Sequence, residues 1–146
     1  MVNQFDPKIW GPHYWFFLHT LAITYPNHPN EITKKKYYEF ICNLLPLFIP
    51  NENISKDFTQ FINEYPVTPY LDNKDSFIRW VHFIHNKINE KLEKPSISLN
   101  DFYINYYNQY KSTNIRWIEY LNNKKKIIYF LILIVIFIAI YYLYDK

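Results

Sequence analysis

Residues 74–95 read KDSFIRWVHFIHNKINEKLEKP. Phe77, Trp80, Ile84 and Ile88 recur at three- and four-residue spacing, the period of a helix with one buried face. The pattern predicts a helix from about Lys74 to Glu93, with Pro95 ending it. Working outward, the same grammar covers most of the chain. Asp6 can cap a helix with Pro7 at its first position, and Trp15, Leu18, His19 and Ala22 then share a face. Pro26 and Pro29 close that helix. A second is expected from about Glu31 to Leu45, striped by Tyr38, Ile41, Cys42 and Leu45 and interrupted by Pro46 and Pro50. Ser55 is a candidate cap for a third, Lys56 to Glu64, and YPVTPYLD, residues 65–72, reads as a proline-punctuated loop. Ser98 can cap a short fifth helix through Tyr106 and Tyr107. With no strand alternation and no internal repeat, the expected fold class is all-α: a four-helix bundle plus a short fifth helix.

Residues 127–144, IIYFLILIVIFIAIYYLY, contain neither charge nor proline. At 1.5 Å per residue they make about 27 Å of helix, enough for a thin hydrocarbon core. A buried core helix would carry polar residues on one face, and this run carries none. The expected organisation is a helical domain over 1–110, a polar juxtamembrane linker over 111–126 and a transmembrane helix over Ile127–Tyr144. Two residues follow the span, as in a tail anchor. Lys124, Lys125 and Lys126 precede it, and positive flanks stay cytoplasmic. The N-terminal domain is therefore expected to be cytosolic. MVNQFDPKIW has no basic segment followed by an apolar one, so no signal peptide is expected.

Composition excludes several classes. One Gly among 146 residues cannot write a Rossmann fingerprint or a P-loop. One cysteine, Cys42, forbids an internal disulfide and a Cys-rich zinc site, and its expected role is a small buried apolar residue. The net charge of +3 resides at the C-terminal end: outside Lys124–Lys126, Lys146 and Asp145, the remaining residues hold 12 basic and 12 acidic groups. A neutral domain is a poor nucleic-acid binder, so no nucleic-acid partner is expected. Aromatics at 21% suit a helical core or a slot for a planar ligand, and an AT-rich coding bias explains them equally well.

Three clusters carry more than packing. The first is WGPHYWFFLHTLAITYP, residues 10–26, the second IPNENISKDF, residues 49–58, and the third WVHFIHNKINEKLEKP, residues 80–95. Donors stacked along one helix can hold a purine, a ribose and phosphates without a glycine loop. Trp10, Gly11, Pro12, Trp15, His19, Tyr25 and Pro26 resemble the opening motif of the Erv/ALR family of FAD-linked sulfhydryl oxidases. Trp80, His85, Asn86, Ile88, Asn89, Lys91, Leu92, Lys94 and Pro95 resemble its closing motif, with Glu93 where the family has glycine. The resemblance covers about residues 8–107, and the short form with a membrane tail is most similar to members encoded by large DNA viruses. It implies a helical bundle, usually a homodimer, that binds FAD. By position, Gly11, Trp15, His19 and Tyr25 would line one side of the flavin. His85, Asn86, Asn89, Lys91 and Lys94 would hold the adenine dinucleotide, and Tyr106 would close the site.

The departures are equally specific. The family's redox Cys-x-x-Cys follows a proline, and after Pro50 this chain reads Asn51, Glu52, Asn53 and Ile54. Asn51 and Ile54 therefore occupy the two redox positions, and no catalytic residue is intact. The family's second pair would fall at His82 and Leu99 and is also absent. The resemblance implies thiol oxidation with O2 during virion disulfide formation. The residues imply a degenerate member: a membrane-anchored scaffold or minor virion component that still binds FAD, unless a cysteine-bearing redox partner supplies the thiols. No metal site is expected.

Overall fold

In the computed structural model, which describes residues 5–144, every regular element is helical. The helices are α1 (Pro7–Ile23), α2 (Glu31–Glu39), α3 (Glu52–Glu64), α4 (Lys74–Lys91), α5 (Leu99–Asn108) and α6 (Thr113–Tyr144). The chain divides into two compact units, residues 1–106 and 107–146.

Four of the helices begin on an Asx cap. The side chains of Asp6, Asn30, Asn51 and Asn73 accept from the backbone N–H of Lys8, Thr33, Ile54 and Ser76 at 2.8–3.1 Å. Each cap satisfies a donor the first turn would otherwise leave open, and is worth about 1 kcal/mol. Ser98 Oγ does the same for Asp101 N–H at the start of α5.

Two sequence expectations need correction here. The second helix does not stop at Leu45. After Glu39 the chain widens into a π-turn over Phe40–Leu44 and tightens into a 3₁₀ turn over Leu45–Phe48. The wide turn sets the inward face on Ile41 and Leu45, both nearly fully buried, and leaves Tyr38 exposed. Tyr37 packs inward instead, edge-on to Tyr25 and Phe77. The third helix starts at Glu52, capped by Asn51. Ser55 lies within it and donates to the Pro46 carbonyl at 2.8 Å, tying the two segments together.

The fold of the first unit is a four-helix bundle with a short fifth helix. Its core joins Leu18 and Ala22 of α1, Ile41 and Leu45, Phe58, Phe61 and Ile62 of α3, and Phe77, Trp80, Val81, Ile84 and Ile88 of α4. Burying side chains of this size stabilises by about 1.5–3 kcal/mol each. Buried aromatics with polar tips have partners: Tyr25 Oη donates to the Leu71 carbonyl at 2.8 Å, and Trp80 Nε1 to the Tyr65 carbonyl at 2.9 Å.

Three hydrogen bonds hold the chain ahead of α5 onto α4. His82 Nε2 donates to the Ile97 carbonyl at 2.7 Å, and Asn86 Nδ2 donates to the same oxygen at 2.9 Å. Ile97 N–H donates back to Asn86 Oδ1 at 2.9 Å. Because His82 Nε2 is a donor, its 3.3 Å approach to Asn86 Nδ2 is a contact between two donors and not a bond.

In the second unit, α6 is one 32-residue helix, so the polar stretch from Thr113 onward is helical. The segment Ile115–Tyr144 is long and apolar enough to cross a membrane, and none of its apolar window is buried within the protein.

Candidate functional site

α1 and α4 pack side by side, and a cleft opens where the first turns of α1 meet the last turns of α4. The atom-free space there, counted together with the open solvent it runs into, is about 680 Å³. Gly11, Trp15 and Leu18 come from α1, Ile54 and Phe58 from α3, and His85, Asn89 and Lys94 from α4 and its exit.

The α1 wall is built from poor helix formers. Gly11 and Pro12 sit inside the helix, where each costs stability relative to alanine, about 1 kcal/mol for Gly and about 3 kcal/mol for Pro. A Cβ at Gly11 would meet nothing within 4 Å, so the protein's own packing does not require glycine there. What the glycine preserves is free space in the cleft.

Opposite, Asn89 is 5% exposed, and its side-chain amide has no hydrogen-bond partner among the described residues. Its amide atoms keep access to solvent in the cleft, since His19 Nδ1 is the one fully buried side-chain polar atom without a partner among the described residues. Its position on the cleft wall makes it a hook for a ligand with both a donor and an acceptor.

Two histidines meet at the α4 wall, His85 lining the cleft and His19 behind it. His19 Nε2 is 3.0 Å from His85 Nδ1, and His85 stacks on Trp15 with ring centres 4.0 Å apart and planes 15° from parallel. His19 Nδ1 is buried without a partner among the described residues. An unpaired lone pair there costs less than an unpaired N–H, which assigns the His19 proton to Nε2 and makes it the donor to His85 Nδ1. His85 then carries its own proton on Nε2, a donor available to the cleft. Burial drives the His19 pKa down to about 3, with His85 and His82 adding to the effect. Burial, His82 and Lys94 drive the His85 pKa down to about 4. Both rings are therefore neutral at pH 7.

Of the ten residues singled out from the sequence, Gly11, Trp15, His85, Asn89 and Lys94 meet around this cleft. His19 stands behind His85, its other face against Phe102 at 4.4 Å. The remaining four lie elsewhere. Tyr25 is fully buried in the core, Asn86 is committed to Ile97, and Lys91 is exposed in a shallow hollow beside Glu64 and Glu93. Tyr106 stacks on Phe16 and donates to Thr20 Oγ1 at 3.1 Å. Nor is there an open slot between the Trp15 and His85 rings, because they touch. Leu45, Ile49 and Phe58 add apolar wall to the cleft; Ile49 and Phe58 are the ends of the 49–58 cluster, whereas Leu45 was expected only as part of a helix stripe.

The sequence pattern of the Erv1 / Alr family matches residues 12–111. The chain belongs to the Erv1/Alr family. It is 32% identical over 99 residues to the mitochondrial FAD-linked sulfhydryl oxidase ERV1 of Saccharomyces cerevisiae, covering 68% of this chain and 51% of that one. It thus spans about half the length of the yeast protein. A FAD-linked sulfhydryl oxidase of African swine fever virus is 31% identical over 100 residues, covering 68% of this chain and 81% of the viral one. Among solved structures, the FAD binding domain of Erv1 from Saccharomyces cerevisiae superposes with a TM-score of 0.61 at 31% identity, covering 66% of this chain and 90% of that one.

In this Erv1/Alr chain, Asn51 and Ile54 stand at the start of α3. Asn51 Oδ1 accepts from Ile54 N–H at 3.1 Å as the cap of α3, while the Ile54 side chain forms apolar cleft wall. Cys42 lines no part of the cleft, and burial pushes its thiol pKa up, away from the reactive thiolate.

Proposed function

We propose that this chain is a membrane-anchored FAD-binding member of the Erv1/Alr family that has given up direct dithiol oxidation. In the yeast and viral relatives the group named is FAD, which when bound accepts two electrons and passes them on. The residues here suit such a ligand. Trp15 offers a flat face, Gly11 leaves room for close approach, and Asn89 and His85 Nε2 supply hydrogen bonds. Lys94 supplies positive charge for phosphate at the mouth of the cleft. His19 sets the His85 tautomer from behind.

The observation that carries the loss of chemistry is the α3 cap. Thiol oxidation needs a thiolate beside the acceptor, and here that wall is the Ile54 side chain with Asn51 engaged in its own helix. A free dithiol could meet bound FAD only from solution, without the proximity that can contribute about 7–11 kcal/mol to such reactions. α6 is read as a single span with the bundle on the cytoplasmic side, its membrane that of a host cell or virion. The bundle is read as a homodimer serving as scaffold, with cysteine-bearing or virion proteins as partners.

The purified full chain should show flavin absorption and negligible dithiol-dependent oxygen uptake. Asn51→Cys with Ile54→Cys should raise that uptake by at least two orders of magnitude. Equal turnover in the parent and the double variant would remove the degenerate reading. Absence of flavin under saturating FAD would remove the binding reading.

A further inference from the structure

α6 carries charge that neither the bundle nor the apolar span uses. From Lys111 to Lys126 the chain has five basic residues, Lys111, Arg116, Lys124, Lys125 and Lys126, against one acidic residue, Glu119. Glu119 is already engaged: Lys111 Nζ donates to both of its carboxylate oxygens, at 2.8 and 3.0 Å. Lys124, Lys125 and Lys126 are exposed, and among the described residues none of them has an acidic partner. Lys124 Nζ instead lies 4.9 Å from the centre of the Tyr120 ring.

The helix fixes where these charges stand. Successive residues turn by about 100° and rise by 1.5 Å, so the three lysines sweep about 200° of the circumference within about 3 Å of height. They form a collar and not a stripe. Ile127, the first residue of the apolar run, comes next. A peptide or a nucleic acid lying against a helix meets one side of it. Only a layer of anions perpendicular to the helix meets all three lysines together. Trp117 and Tyr120, both exposed, stand on the same polar side of the apolar run and suit the interfacial zone.

We propose that Lys124, Lys125 and Lys126 form a collar that binds the anionic phospholipid headgroups of the leaflet α6 enters. The proposal rests on the reading of α6 as a membrane span. Phosphatidylserine should be enriched over phosphatidylcholine around the chain by about threefold to fivefold at low salt, the size expected from one lysine near an anionic surface.

The test is electron paramagnetic resonance on the full chain reconstituted in phosphatidylcholine bilayers, with spin-labelled phosphatidylserine or phosphatidylcholine as probe. The expected result is an immobilised component for both lipids, larger for phosphatidylserine. The preference should vanish near 1 M salt, where the screening length falls to about 3 Å. It should also vanish in the triple variant Lys124→Gln, Lys125→Gln, Lys126→Gln, which keeps the span. An immobilised component with no phosphatidylserine preference, or a preference that survives the triple variant, overturns the collar alone. No immobilised component for either lipid overturns the span and the collar with it. A lysine-dependent gel shift with RNA in place of any lipid preference would also overturn the proposal.

Discussion

Glu93 is the residue at which this sequence imposes the plainest cost on its own backbone. It follows α4 with φ of 53°, the one positive-φ non-glycine among the described residues. Around it the helix closes with two bonds: Lys94 N–H to the Asn89 carbonyl at 2.8 Å and Glu93 N–H to the Glu90 carbonyl at 3.1 Å. This is the glycine-terminated helix ending made without glycine. A left-handed non-glycine residue costs about 1–2 kcal/mol. Restoring glycine removes that cost but enlarges the freedom of the unfolded chain, by about 0.4–1 kcal/mol. Glu93→Gly should therefore stabilise the bundle by roughly 0.5–1 kcal/mol, raising Tm by about 2–8 °C for a domain of this size. The assay is thermal unfolding of the full chain in mild detergent, followed by tryptophan fluorescence, since Trp10, Trp15 and Trp80 lie in the bundle. Glu93→Ala is the control: it keeps the Cβ and the backbone penalty, so it should stay within about 0.5 kcal/mol of the parent. If alanine gains as much as glycine, the cost lies in the glutamate side chain and the backbone argument fails. No gain from glycine would refute it outright.

The cleft supports further predictions. Gly11→Ala should stabilise the ligand-free chain by about 1 kcal/mol through helix propensity while weakening FAD retention, measured by unfolding and by flavin titration. A parallel loss of both would show that the glycine serves packing. Acid should destabilise the bundle through His19 and His85. Their folded pKa values lie below the unfolded value near 6.5, so the unfolded chain binds more protons as pH falls, and stability drops from about 6.5 towards 4. Each imidazole contributes a slope approaching about 1.4 kcal/mol per pH unit, and replacing both with glutamine should flatten the profile measured by urea unfolding. Asn86→Ala should cost about 2 kcal/mol by removing two bonds to Ile97, yet leave FAD affinity within about twofold per remaining folded molecule. A selective loss of affinity would return Asn86 to the ligand site.

Where the chain states its own punctuation, the sequence was readable. Asp6-Pro7, Pro26, Pro95 and Ser98 mark ends that the structure keeps to within a few residues. The start of the third helix was not, because Ser55 and Asn51 are both acceptable caps. Choosing between them depends on the tertiary bond from Ser55 to Pro46. The π-turn after Glu39 was equally hidden, since one residue of extra winding leaves no compositional trace. Half of the candidate site was legible for the same reason that motifs work: Gly11, Trp15, His85, Asn89 and Lys94 converge from two helices. Tyr25 and Asn86 share those motifs but meet obligations of the fold, through Leu71 and Ile97, that spacing alone cannot distinguish from ligand contacts.

The fastening of Ile97 by His82 and Asn86 has a practical corollary. Nothing that keeps this bundle shut is a sulfur–sulfur bond, so reducing agents have no purchase on its architecture. The same chain can mature in a thiol-rich or an oxidising compartment and arrive at the same shape. Any covalent dimer seen on a non-reducing gel must run through Cys42 of two molecules or through a foreign thiol. Dithiol assays at high reductant would therefore report on the candidate site and not on a scaffold coming undone.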